Sequence, residues 1–185
     1  EIDLAAIRHN VGVMKSHIAG GAKFLAVVKA DAYGHGAVPV AKAALEVGAD
    51  MLAVAIPEEG IELRNAGIAA PILVLGGIEE SAAEAVVQYN LTQVVFDESR
   101  IRALAQAGRK LGQNAQVHLK LDTGMNRIGV RHDEVVPFMH QVGFHRALEL
   151  VGTFTHFATA DCAETLDFQI QVKRFIEAIN ALRGA

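Results

Sequence analysis

Phe24-Leu25-Ala26-Val27-Val28-Lys29 is an apolar run closed by a lysine, and the string Ala30-Asp31-Ala32-Tyr33-Gly34-His35-Gly36 follows at once. The run has the length of a buried strand and is too short to span a bilayer. On either side, Leu4–Ile18 and Val38–Val47 carry apolar residues at helical spacing. A strand set between two amphipathic helices is one step of an alternating α/β pattern.

The step recurs. Strands are expected at Met51–Ala55, Ile72–Leu75, Gln93–Phe96, Gln116–Asp122 and Val151–Phe157. Helices are expected between and after them, at Glu58–Ala66, Ser81–Tyr89, Glu98–Leu111, Asp133–Val142 and Leu166–Leu182. Pro57 sits where a first helical turn begins, with Glu58 and Glu59 as helix-start anions. Ser81 precedes Glu84 at capping-box spacing, and Gly48, Gly67, Gly112 and Gly143 occupy C-cap positions. Strand starts fall about 20 to 35 residues apart, the size of a βαβ unit. Such alternation implies a parallel sheet wound in one hand, either an open sheet or a barrel. A (β/α)₈ barrel typically takes about 250 residues and eight strands. With six units in 185 residues, a barrel here is an incomplete TIM barrel. No linker, low-complexity stretch or charge run marks a second domain.

Composition narrows the function. Seventeen Lys and Arg against 21 Asp and Glu give a net charge of −4, which offers no footprint for nucleic acid or an anionic membrane. The eight histidines are scattered, so no metal site is expected. One cysteine, Cys162, cannot form an internal disulfide, and a cytoplasmic home is expected. No basic segment followed by an apolar stretch opens the sequence, so no signal peptide is expected.

Alternation along the strands places charge where a core should be. Leu25, Val27 and Lys29 share one face; His118, Lys120 and Asp122 share another, opposite Val117, Leu119 and Leu121; Phe154 and His156 share a third. The continuous apolar faces must meet the helices, which turns the polar sets toward a barrel interior. An unpaired buried ammonium costs several kcal/mol, on the order of a whole domain's margin, so an inward lysine needs a partner or a purpose. Barrel active sites lie at the C-terminal mouth, and Lys29, Asp122 and His156 all fall at or near strand ends. A desolvated lysine presents a neutral amine that forms Schiff bases. Tyr33 reaches from the loop toward a phosphate, and Gly34 and Gly36 let the backbone approach. The bland alternative is a strand-end lysine that snorkels to water.

The motif Val28-Lys29-Ala30-Asp31-Ala32-Tyr33-Gly34-His35-Gly36 closely resembles the cofactor-attachment motif of alanine racemases. His118-Leu119-Lys120-Leu121-Asp122-Thr123-Gly124-Met125-Asn126-Arg127-Ile128-Gly129 and Thr155-His156-Phe157-Ala158-Thr159-Ala160-Asp161 resemble two further segments of that family, in the same order. The opening Glu1-Ile2-Asp3-Leu4, with Ile7, His9 and Asn10, fits as well, so the resemblance spans essentially the whole sequence. It implies pyridoxal phosphate as cofactor, alanine as substrate, and a two-base interconversion of L- and D-alanine that supplies peptidoglycan. It implies that Lys29 carries the cofactor and acts as one base, and that Tyr33 binds its phosphate. Arg127 contacts the phenolic oxygen and the substrate carboxylate, with Met125 near the substrate. Lys120 is the lysine often carbamylated in this family, and His156 packs beside the pyridine ring. The opposite-face base is a tyrosine from the C-terminal β domain of a partner in a homodimer. That domain and the later barrel strands are absent here, so this segment alone is expected to be inactive.

Other readings stay open at this stage. One is a racemase of other or broader specificity, such as serine. Another is a pyridoxal phosphate-binding barrel without turnover; the segment from Lys120 to Arg127 argues against it. A plain structural α/β domain is the third, in which Lys120, Asp122 and Arg127 form a buried ion network. His35 stays outside the site, serving solvent or the cap of the following helix. His140 and His145 are expected on an exposed helix and its loop, and Cys162 reads as an inert small hydrophobe.

Overall fold

Asp3 starts the first helix by accepting from the amides of Ala5 (2.8 Å) and Ala6 (3.2 Å). In the computed structural model, which describes residues 1–18, 20–143, 145–163 and 166–184, this helix is α1 (Leu4–Ser16). Strand β1 (Leu25–Val27) and a short turn α2 (Lys29–Gly34) follow, then α3 (Ala37–Glu46), β2 (Met51–Val54), α4 (Pro57–Asn65) and β3 (Ile72–Val74). A 3₁₀ turn (Glu80–Ala82) leads into α5 (Ala83–Gln88), β4 (Thr92–Val95), α6 (Glu98–Leu111) and β5 (Ala115–Asp122). The chain ends with β6 (Val130–Arg131), α7 (Val135–Gly143), β7 (Leu148–Phe154) and α8 (Leu166–Gly184).

Local chemistry explains the boundaries. Pro57 opens α4, where the missing amide hydrogen costs nothing. Asp97 caps α6 through the Arg100 amide (3.0 Å), and Gly112 closes it in the left-handed region at φ 68°. On α6, Ile101, Leu104, Ala105 and Gly108 are buried, the stripe that helical periodicity requires. Ser81 does not cap α5: it lies inside the 3₁₀ turn, and the helix begins at Ala83.

All pairings are parallel, in the order β1-β2-β3-β4-β5, with β7 on the far side of β5. The two-residue β6 pairs with Leu121 and Asp122 at the end of β5. Six main strands thus form one wall of a (β/α)₈ barrel. The helix-facing side is apolar as expected: Leu52, Val54, Ile72, Val74 and Val117 pack with Ala41, Leu63, Val86 and Leu104. Leu119 and Leu121 join Val130, Val135 and Ala178 in a second cluster. Among the described residues no helix is long and apolar enough to cross a membrane.

Strands β1 and β7 depart from the sequence reading by two residues or more at an end, the other expected strands by no more than one. β1 stops at Val27, because the backbone leaves extended geometry at Val28 (φ −121°, ψ 24°) and Lys29 opens the turn. β7 starts at Leu148 rather than Val151 and ends at Phe154, so His156 lies beyond it. The β5–β7 ladder carries a register shift between Val117 and His118, and His118 then sits opposite Gly152. A methyl group at position 152 would lie 2.5 Å from His118 Nε2. Gly152→Ala is therefore expected to cost about 1–3 kcal/mol, the usual range for overpacking. In a double-mutant cycle by denaturant unfolding, most of that loss disappears when His118 is already alanine; additive losses would refute the steric account.

Candidate active site

The turn after β1 aims the first lysine. Ala30, Asp31, Ala32 and Tyr33 all have φ between 51° and 57°, so α2 is a single left-handed turn built without glycine at those positions. Each such residue costs roughly 1–2 kcal/mol in L-chirality, and a series of them persists only when neighbours over-determine it. They do. Ala32 is buried and its amide donates to Val28 O (3.0 Å). The Asp31 carboxylate accepts from the Ala37 amide at the start of α3 (2.6 Å). His35 Nδ1 donates to Ala32 O (2.9 Å) and Tyr33 O (3.1 Å); carbonyls only accept, so that nitrogen carries the proton. His35 thus closes the preceding turn rather than capping α3. Glu59, read from sequence as a helix-start residue, accepts from the Ala30 amide (2.6 Å).

Inside the wall, at the C-terminal ends of the strands, lies a cleft of about 640 Å³. Leu25, Val27, Lys29 and Tyr33 line one side, Leu73, Leu75, Gly76 and Gly77 the floor, and His118, Lys120, Arg127, Phe154 and His156 the other side. The structure therefore brings together Lys29, Tyr33, Lys120, Arg127 and His156. Met125 is half-buried on the loop that carries Arg127 but is not part of the cleft wall. Asp122 does not face inward as expected: its carboxylate accepts from the amides of Gly124 (2.9 Å) and Asn126 (3.1 Å) and so fixes that loop. His140 is exposed on α7, His145 is half-buried in the loop after it, and Cys162 is exposed.

The cleft is rich in cations. Among the described residues, none of Lys29, Lys120 and Arg127 has a carboxylate oxygen within 4.0 Å. Lys120 is the desolvated one, only 4% exposed, with Nζ 4.9 Å from the Phe154 ring centroid and 3.4 Å from Leu121 O. Burial pulls its pKa down to about 8; Asp122 opposes the shift and Arg127 adds to it. Burial also lowers the pKa of His156, helped by the positive charges of Arg127, Lys120 and Lys29. Lys29 Nζ lies 5.9 Å from the ring centroid of Tyr33, itself exposed.

One network escaped the sequence reading. Gln171 on α8, 3% exposed, donates to Thr123 Oγ1 (3.1 Å) and to His156 O (3.1 Å) and accepts from the Ala158 amide (2.9 Å). Arg174 donates to Thr123 O (3.0 Å), and the hydroxyls of Thr123 and Thr155 meet at 2.7 Å. This network ties the rims of β5 and β7 together. A glutamine on an amphipathic helix gives no sign of it in advance.

An amine, a desolvated lysine, an arginine and a histidine thus gather at the mouth of a parallel barrel wall. The sequence matches the family described as alanine racemase, N-terminal domain, over residues 2–185. It is 46% identical over its full length to an alanine racemase of Symbiobacterium thermophilum and 45% identical to one of Desulfovibrio desulfuricans, covering 49% and 50% of them. The fold superposes on an alanine racemase of Clostridium difficile 630 with TM-score 0.94 at 36% identity, over 99% of this chain and 48% of the other. Against the Bacillus anthracis alanine racemase with bound L-Ala-P, the TM-score is 0.92 at 40% identity, over 99% of this chain and 47% of the other. The chain belongs to the alanine racemase family and spans about half the length of these relatives.

The Lys120 shift has a measurable sign. Between about pH 8 and the ordinary lysine range the unfolded chain holds a proton that the folded chain has released, so stability rises with pH across that window. Below about pH 8 the full penalty of the buried charge stands. Lys120→Met is expected to stabilise the fold by about 2 kcal/mol at pH 7 in bicarbonate-free buffer and to flatten that rise. Urea unfolding at pH 7 and pH 10 measures both; a destabilised variant with an unchanged slope would contradict this account.

Proposed function

We propose that this chain supplies the cofactor-binding part of a pyridoxal phosphate-dependent racemase that interconverts L- and D-alanine. The observation that carries the reading is Lys29: its amine lines a cleft whose other cations lack a close carboxylate among the described residues, beside the tyrosine of its own turn. The donor set fits the group. An aldehyde requires a primary amine, which Lys29 offers; a flat ring requires apolar cover, which Leu73 and Leu75 offer; a phosphate requires hydrogen-bond donors, which Tyr33 offers. Arg127 would hold the phenolic oxygen and the substrate carboxylate, Met125 would lie close to the substrate, and His156 would lie beside the ring.

When bound, pyridoxal phosphate delocalises the electron pair left on a substrate α-carbon after its proton departs. The protein's part is proton traffic and placement. The Lys29 amine would take or return the α-proton on its own face of the substrate. The base for the opposite face, a tyrosine from a partner subunit of a homodimer, and the remaining barrel strands come from outside this stretch. Arg127 holds the carboxylate so that the α-hydrogen stands over one base or the other. The lowered pKa of His156 favours its neutral form beside these cations.

Lys120 completes the electrostatics. An amine with a pKa of about 8 is partly neutral at physiological pH. It adds to carbon dioxide through its nitrogen lone pair, forming a carbamate and releasing one proton. The buried cation becomes an anion that orients Arg127. The product, D-alanine, is made in the cytoplasm and supplies peptidoglycan, a location in keeping with a sequence that holds one cysteine.

Borohydride trapping with pyridoxal phosphate on the complete gene product is expected to mark Lys29, and Lys29→Ala to remove the mark and the visible absorption band. Exchange between L- and D-alanine is expected to fall to background in the same variant. Wild type that stays colourless with the cofactor would overturn the reading. Trapping at Lys29 without exchange would instead favour a binding protein.

A further inference from the structure

The β1–β2 ladder ends one residue before the lysine. Val27 pairs with Ala53, and the last rung is Val28 N–H to Ala53 O at 2.8 Å. Beyond it the first strand turns left-handed, so the next amides of the two strands no longer face each other's carbonyls. At the break stand the amide hydrogens of Ala30, Ala55 and Ile56. All three point to one carboxylate. Glu59 Oε1 accepts from Ala30 N at 2.6 Å, and Oε2 accepts from Ala55 N at 2.7 Å and Ile56 N at 3.3 Å.

We infer that Glu59 is a positioning residue for Lys29: its carboxylate replaces the missing rung and locks the left-handed turn that directs the amine into the cleft. Glu59 does not line the cleft. It acts through Ala30, the residue bonded directly to Lys29, and through the end of β2. The chemistry demands a carboxylate. Its two oxygens only accept, and both sides of the break only donate. Glutamine satisfies one side and turns an NH₂ donor toward the other. Aspartate, shorter by one methylene, reaches either side but cannot span both.

The proposal rests on Lys29 being the attachment point. The test uses the complete gene product: the rate of pyridoxal phosphate attachment to Lys29, followed by visible absorbance and by borohydride trapping and peptide mapping. Arg64→Ala is the control for general destabilisation. That guanidinium holds the carbonyls of Ile68, Ala70, Tyr89 and Asn90, away from the cleft. Glu59→Gln is expected to slow attachment about ten- to a hundred-fold, the scale of an ångström-sized misplacement. Arg64→Ala keeps the wild-type rate while lowering Tm, and Glu59→Asp falls between Glu59→Gln and wild type. Attachment in Glu59→Gln at the wild-type rate, or slowed no more than in Arg64→Ala, overturns the inference alone. No attachment in wild type overturns the functional reading as well. A readout on wild type stands even if the variants fail to fold: the Ala30 amide is expected to be protected from hydrogen exchange. Exchange there as fast as in an open turn would sink the inference.

Discussion

Backbone handedness is the constraint on which the site depends. Four consecutive non-glycine residues wound the wrong way for L-amino acids store several kcal/mol, on the scale of roughly 1–2 per residue. Nothing in the local sequence makes that conformation favourable by itself. It exists because the buried Ala32, the Asp31 carboxylate on α3, the His35 imidazole and the Glu59 carboxylate each fix one part of it. A right-handed turn at the same place would swing Tyr33 and the glycines after it to another side. Lys29 and Tyr33 share the cleft because the strain is held, by the turn's own side chains and by contacts to α3 and α4.

Charge is the second organising fact. The net balance of the chain is mildly acidic, yet the cleft gathers two lysines and an arginine without a close carboxylate among the described residues. The acidic groups near it are occupied with backbone amides: Asp122 holds its own loop, Asp31 holds α3, and Glu59 holds the strand ends. With the carboxylates engaged by N–H groups rather than by the cations, the positive charge of the cleft is left uncompensated at close range among the described residues. Burial of Lys120 among these groups drives its pKa down, with Arg127 adding to the shift and Asp122 opposing it.

Much of this was legible in the amino-acid order. The alternation of apolar strands and amphipathic stripes gave the parallel sheet, because burial on two faces leaves few other solutions. The face assignments of β5 gave Lys120 and His118 as inward groups, since strand alternation is geometric. Asp122 departed from that rule because the strand ends there and its side chain meets the amides of the next turn. The left-handed turn was not legible: alanine and tyrosine disfavour it, a single aspartate tolerates it without dictating it, and part of what holds it, Glu59, lies far off in sequence. Gln171 and Thr123 escaped notice for the same reason, as their partners lie 48 residues apart.

That last separation has a consequence for biosynthesis. Chains emerge from the ribosome N-terminus first, and the early strands and helices can pack as they appear. The loop bearing Arg127 and the segment bearing His156 wait for Gln171 and Arg174, which are translated later and arrive on α8. A nascent chain halted before that helix carries a shaped wall with a loose rim. The far rim of the cleft is thus fastened late in synthesis, after the wall it closes has formed.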